Sequence, residues 1–74
     1  MSNQNQQITG HRQLSQAEID DINKSKTLAN QVGEFIATLE KSDDVDKRWL
    51  AIAKTDLQKG FMSLVRSIAK SSSF

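Results

Sequence analysis

The sequence predicts an all-α fold: an antiparallel helical hairpin with a short N-terminal segment, assembled into a symmetric homo-oligomer. Three observations predict it. Apolar residues recur at helical spacing over two long stretches, without strand-like alternation. A short polar break, Lys41 to Asp44, separates the stretches, and so short a connection joins antiparallel neighbours. The second stretch carries more apolar surface than one hairpin seam covers, and the uncovered row marks an association surface.

Residues 1–13 read as a flexible polar segment and residues 14–74 as the hairpin domain. Seven of the first 16 residues are Asn or Gln, with few apolar groups to bury, so an isolated chain leaves most of this stretch mobile. The first helix then starts on a capping box, Ser15 with Glu18, flanked by Leu14 and Ile19 at the positions of a hydrophobic staple. Glu18, Asp20 and Asp21 place negative charge where the helix dipole favours it. Ile19, Ile22, Ala29, Val32, Ile36 and Leu39 continue the apolar stripe, widened by Leu28 and Phe35, to about Glu40. Gly33 costs about 1 kcal/mol relative to Ala inside a helix, which predicts that another backbone packs closely there.

Ser42 or Asp43 is the expected cap of the second helix, with Asp44 and Asp46 in its first turn. This helix is expected to reach about Ala69, with Lys70 near its end. One apolar row is Leu50, Ala53, Leu57, Phe61, Leu64 and Ile68. A second, offset row holds Val45, Trp49, Ile52 and Val65, with Met62 on the flank. The heptads are too irregular for a long coiled coil, and there is no internal repeat.

Composition excludes many functions. The chain has 74 residues, one His and no Cys or Pro. It is one domain at most, and folding at this size buries only roughly 60% of the unfolded chain's surface. Disulfides, thiolate zinc sites and multi-histidine metal sites are ruled out, and self-association is the expected source of the missing stability. The longest apolar run, Trp49 to Ala53, is far too short for a membrane span. The polar N-terminus does not read as a signal peptide, so a cytosolic chain without membrane contact is expected. Residues 1–46 hold four Lys or Arg against eight Asp or Glu; residues 47–74 hold six against one. The near-neutral total argues against a grip on long nucleic acid, while the basic C-terminal third leaves room for a small anion.

No catalytic motif is present: no phosphate-cradling glycine loop, no nucleophile elbow and no paired acids in an obvious loop. The Asp43-Asp44-x-Asp46 cluster reads as helix capping rather than a cation site. Neither a metal nor a cofactor is expected, and binding or scaffolding is favoured over catalysis.

The block Thr55-Asp56-Leu57-Gln58 followed by Gly60-Phe61-Met62, within Arg48-Trp49 to Arg66-Ser67-Ile68-Ala69, is distinctive. It resembles a family of small phage proteins that counter CBASS immunity as sponges, sequestering cyclic oligonucleotide messengers without cleaving them. Leu14 to Lys26 resembles that family's first long helix, so the resemblance spans roughly residues 11–74. It implies a compact homohexamer of small helical protomers acting in the cytoplasm of the infected bacterium. It also implies a cyclic dinucleotide held between two protomers. An aromatic group before the first helix stacks on a base, here at His11, and a helix lysine meets the phosphate, here Lys26. Cyclic trinucleotides bind at a separate site in that family, to which Arg66 corresponds, with Thr27 lining it. Family members carry Tyr where this chain has His11; an imidazole stacks and donates a hydrogen bond with less π-area.

Physical reach is consistent with that implication. Lys26 lies about 16 Å along the helix from the Ser15 cap, and His11 lies before the cap. One chain does not bring both to a small ligand, whereas two antiparallel first helices do, twice over about a two-fold axis. Base stacking contributes about 1–3 kcal/mol per base, and a charge-assisted hydrogen bond to phosphate about 1.5–3 kcal/mol. Read alone, His11 is a solvated tail residue, Lys26 and Arg66 are surface cations, and Trp49 is a core or subunit contact. Thr55, Asp56 and Gln58 are either an inter-subunit network or a solvated face; Gly60 fits close helix approach. The rival reading from another class is a small oligomeric adaptor or regulator that binds a protein or DNA. A nuclease of cyclic nucleotides ranks third.

Overall fold

The computed structural model describes residues 13–70, which form two α-helices, α1 (Gln16–Glu40) and α2 (Lys47–Ala69). His11 and the expected flexible segment, apart from Gln13, lie outside the described residues. The start of α1 follows from four residues. Ser15 Oγ accepts the Glu18 N–H at 3.1 Å, and Glu18 Oε1 accepts the Ser15 N–H at 2.8 Å. The capping box thus satisfies two backbone donors that a bare helix start leaves without partners.

The seam on the α1 side is formed by Leu14, just before the cap, and by Glu18, Ile22, Ser25, Ala29, Val32, Ile36 and Leu39 of the helix, all buried or half-buried. Steps of three and four keep these positions on one side of a 3.6-residue period. From α2 the half-buried residues are Leu50, Ala53, Phe61, Val65, Ile68 and Ala69. Here the sequence reading needs correction. Leu57 and Leu64 of the expected inner row are 40% and 41% exposed, and Val65 of the outer row enters the seam instead. Positions 64 and 65 both carry branched apolar side chains, so periodicity alone does not choose between them; the register of the two helices does.

The start of α2 also differs from expectation. Its N-cap is Asp46, whose Oδ1 accepts the Trp49 N–H at 3.0 Å. Ser42 Oγ accepts the Asp44 N–H at 3.0 Å, so its hydroxyl shapes the connection rather than capping the helix. Across this connection, Lys47 Nζ donates to the Glu40 carbonyl at 2.8 Å. Lys54 Nζ meets Glu40 Oε2 at 3.1 Å. Cations from α2 therefore face the negative end of the α1 dipole, as electrostatics favours. The last turn of α2 closes on Lys70, in the left-handed region, with its N–H donated to the Arg66 carbonyl at 2.8 Å.

The core is thin. Among the described residues only Ile36 and Ser25 are buried, and no side chain is fully enclosed. Ser25 tolerates burial because its hydroxyl donates to the Asp21 carbonyl at 3.0 Å. The expected close backbone at Gly33 is absent among the described residues: a methyl group built there meets nothing within 4 Å, and the same holds at Gly60. Trp49, Phe35 and Met62 are 66%, 63% and 63% exposed. No helix among the described residues is long and apolar enough to cross a membrane.

Candidate ligand groove

Among the described residues, two open grooves adjoin on the hairpin, and both are lined by Ala29, Phe61 and Met62. The first, of about 450 Å³, continues past Ser25 and Val65 and has Lys26 of α1 and Arg66 of α2 on its walls. The second, of about 520 Å³, extends beside Gly33 toward Thr55, Gln58 and Lys54.

Helix geometry explains the first groove. Ser25 points into the seam, and Lys26, one position on, lies about 100° further round. Its side chain therefore rises at the edge of the apolar stripe instead of within it. On α2 the seam passes through Phe61 and Val65, and Met62 and Arg66 each follow by one position in the same sense. Antiparallel packing brings the two edges together. The result is a floor of carbon and one sulfur between an ammonium and a guanidinium. Among the described residues the lining carries neither a carboxylate nor an imidazole, and the Ser25 hydroxyl is committed to the Asp21 carbonyl. The chemistry of such a surface is complementary to an anion with apolar parts.

Lys26 and Arg66 are thus brought into one groove of a single chain, although the sequence reading assigned them to two ligands. Thr27 is exposed and does not line either groove; its Oγ1 donates to the Asn23 carbonyl at 3.1 Å. Sequence reasoning took Phe61 as core and Met62 as flank and so passed over their place on the floor. The signal available was their position inside the most distinctive block of the chain. Among the described residues, no group of three or more His, Cys, Asp or Glu is placed to hold a metal ion.

Comparison with known proteins gives two findings. The family described as Acb2/Tad1, hairpin domain, matches residues 3–69. A curated relative, Anti-CBASS protein 2 of Pseudomonas phage JBD67, is 31% identical, with 95% of this chain and 96% of that protein covered. The alignment runs over 104 positions, more than this chain's 74 residues, so the relative carries insertions.

Proposed function

The chain belongs to the Acb2/Tad1 hairpin-domain family, and from that premise we propose that it is a phage anti-CBASS protein that captures cyclic dinucleotide messengers, and cyclic trinucleotides, without cleaving them. Its place of action is the cytoplasm of the infected bacterium. The observation that carries the reading is a carbon-lined groove with two cations, Lys26 and Arg66, on its walls. A cyclic oligonucleotide presents the complementary chemistry, anionic phosphates beside flat, weakly polar bases. Charge-assisted bonds to phosphate fix the ring, and the apolar floor covers base surface.

The working unit in this reading is a homo-oligomer, a hexamer by family resemblance. His11 of one copy stacks on a base while Lys26 of another meets a phosphate, and Arg66 with Thr27 serves the trinucleotide. The exposed Phe35 and Trp49 support assembly, because a single hairpin leaves them in water. Sequestration requires only tight binding and no chemical step.

The test is capture and release. Purified protein is mixed with cyclic di-GMP, cyclic di-AMP and cyclic tri-AMP, freed of unbound ligand, then heated. The released ligand is expected to be intact by chromatography, and the bound ligand is expected to raise the melting temperature by mass action. Cleaved ligand would turn the reading to an enzyme. Absence of binding together with a shifted DNA fragment in a gel would turn it to a regulator.

A further inference from the structure

We infer that Glu18 is a positioning residue for His11: it fixes the direction in which the chain enters α1, and so the place from which the imidazole reaches a base. This deepens the sequestering reading and rests on it. Among the described residues, Glu18 is the only Asp, Glu, Lys or Arg that is not exposed. Its side chain is 15% exposed. It sits in the seam between Leu14 and Ile22, each four positions away on the same side of the helix. Starting the helix does not require a carboxylate there, because Ser15 Oγ already accepts the Glu18 N–H at 3.1 Å. What the carboxylate adds is the bond from the Ser15 N–H to Oε1 at 2.8 Å.

That bond acts on the chain before the helix. The Ser15 N–H belongs to the peptide unit that joins Leu14 to Ser15, and a peptide unit is planar. Holding its N–H therefore sets the plane that carries the Leu14 Cα. Leu14 is itself half-buried in the seam, so the incoming chain is held at two points, one polar and one apolar. His11 is three residues further out. At about 3.6 Å per residue its Cα stays within about 11 Å of the Leu14 Cα. Without the carboxylate, Leu14 is held by packing alone and the last bonded anchor is Ser15. The reach from that anchor is about 14 Å, so the volume open to the ring roughly doubles and its approach direction is lost. Confining a binding group to its working region before the ligand arrives lowers the ordering cost of capture.

Calorimetry with cyclic di-GMP on four proteins tests this: the parent, Glu18→Ala, His11→Ala and the double variant, each checked for helicity by circular dichroism. Glu18→Ala is expected to weaken binding about two- to threefold for each copy that supplies His11, or roughly four- to tenfold for a site built by two. In the His11→Ala background the same substitution is expected to change affinity by less than about twofold, because the group it positions is gone. Glu18→Gln is expected to stay within about twofold of the parent, since an amide oxygen accepts the Ser15 N–H in the same box. Should Glu18→Ala lose helicity, Glu18→Asp, with the charge kept on a shorter side chain, runs the same cycle. Equal losses with and without His11 would overturn the inference, leaving Glu18 a stability residue and sequestration intact. A Glu18→Gln protein as weak as Glu18→Ala would overturn it too, assigning the effect to charge. So would a His11→Ala protein that binds like the parent while Lys26→Ala does not bind, which again leaves capture standing. Failure of the parent to bind any cyclic nucleotide would overturn both readings together.

Discussion

Glu18 Oε2 lies 3.7 Å from Lys70 Nζ, so the first turn of α1 is joined to the residue that closes α2. The same carboxylate caps α1 through the Ser15 N–H. The two partners are unequal in what they contribute. The Lys70 side chain is 71% exposed, and an exposed pair is worth only about 0–1 kcal/mol. Its backbone, at φ 54° and ψ 45°, occupies the left-handed region, which costs a residue with a Cβ about 1–2 kcal/mol. Backbone relief outweighs the lost pair, so Lys70→Gly is expected to raise the melting temperature. Glu18→Ala removes the carboxylate half of the capping box and the ion pair together, leaving the Ser15 Oγ bond to the backbone, and is expected to cost about 1 kcal/mol. Thermal unfolding followed by circular dichroism checks both; a lower midpoint for Lys70→Gly would mean that the ion pair dominates.

Gly33 gives a second prediction with a sign that reports on assembly. A methyl group there meets no atom within 4 Å in the hairpin, and Gly to Ala inside a helix gains about 1 kcal/mol. Gly33→Ala is therefore expected to stabilise the protein by about that amount. A loss of stability accompanied by a smaller particle in light scattering would instead place the backbone of a second copy against Gly33.

Lys26 and Arg66 share one groove yet serve different ligands in the proposed function, and single substitutions separate these roles. Lys26→Ala is expected to abolish cyclic dinucleotide binding by calorimetry while the oligomer persists. Losing one charge-assisted contact costs about 1.5–3 kcal/mol, or roughly 10- to 150-fold in affinity, and the symmetric site loses two. Arg66→Ala is expected to impair cyclic trinucleotide binding with dinucleotide binding retained. Equal loss of both ligands in either variant would mean that the shared groove is one site. Because the cations are exposed, affinity is also expected to fall as salt rises.

How much of this was legible beforehand depends on how local each determinant is. The capping box at Ser15 and Glu18 is a four-residue rule and is readable directly. So is the stripe from Ile22 to Leu39, because spacing alone puts those side chains on one face. The start of α2 was misplaced because Ser42, Asp43 and Asp46 all carry capping side chains. Asp46 is the one that reaches the N–H three residues on, and Ser42 is occupied by Asp44. The choice of Val65 over Leu64, and the meeting of Lys26 with Arg66, depend on the register of α1 against α2. That register is a tertiary quantity, fixed by packing across the seam and by contacts such as Lys54 with Glu40, which no single-helix pattern contains. Lys26 and Arg66 stood out in the sequence through resemblance rather than through any property of an isolated lysine or arginine.

Phe35 and Trp49 carry the last prediction, which concerns the assembly. Each is more than three-fifths exposed in the hairpin. Full burial of such a side chain is worth roughly 1.5–3 kcal/mol, comparable to a large share of what a core with two buried residues supplies. If these faces are where copies meet, a carboxylate there leaves an unpaired charge at a desolvated contact, which is far costlier than the lost apolar area. Trp49→Glu and Phe35→Glu are therefore expected to reduce the particle mass measured by light scattering at micromolar concentration. Helicity is expected to fall with it, because the isolated hairpin has so little interior. The coupling of the two readouts is the informative part: a surface substitution outside any interface changes neither, since charge is well solvated there. Should both variants keep the parental mass and helicity, the association surface would lie elsewhere on the hairpin. His11 of one copy and Lys26 of another would then need a different route to a common ligand.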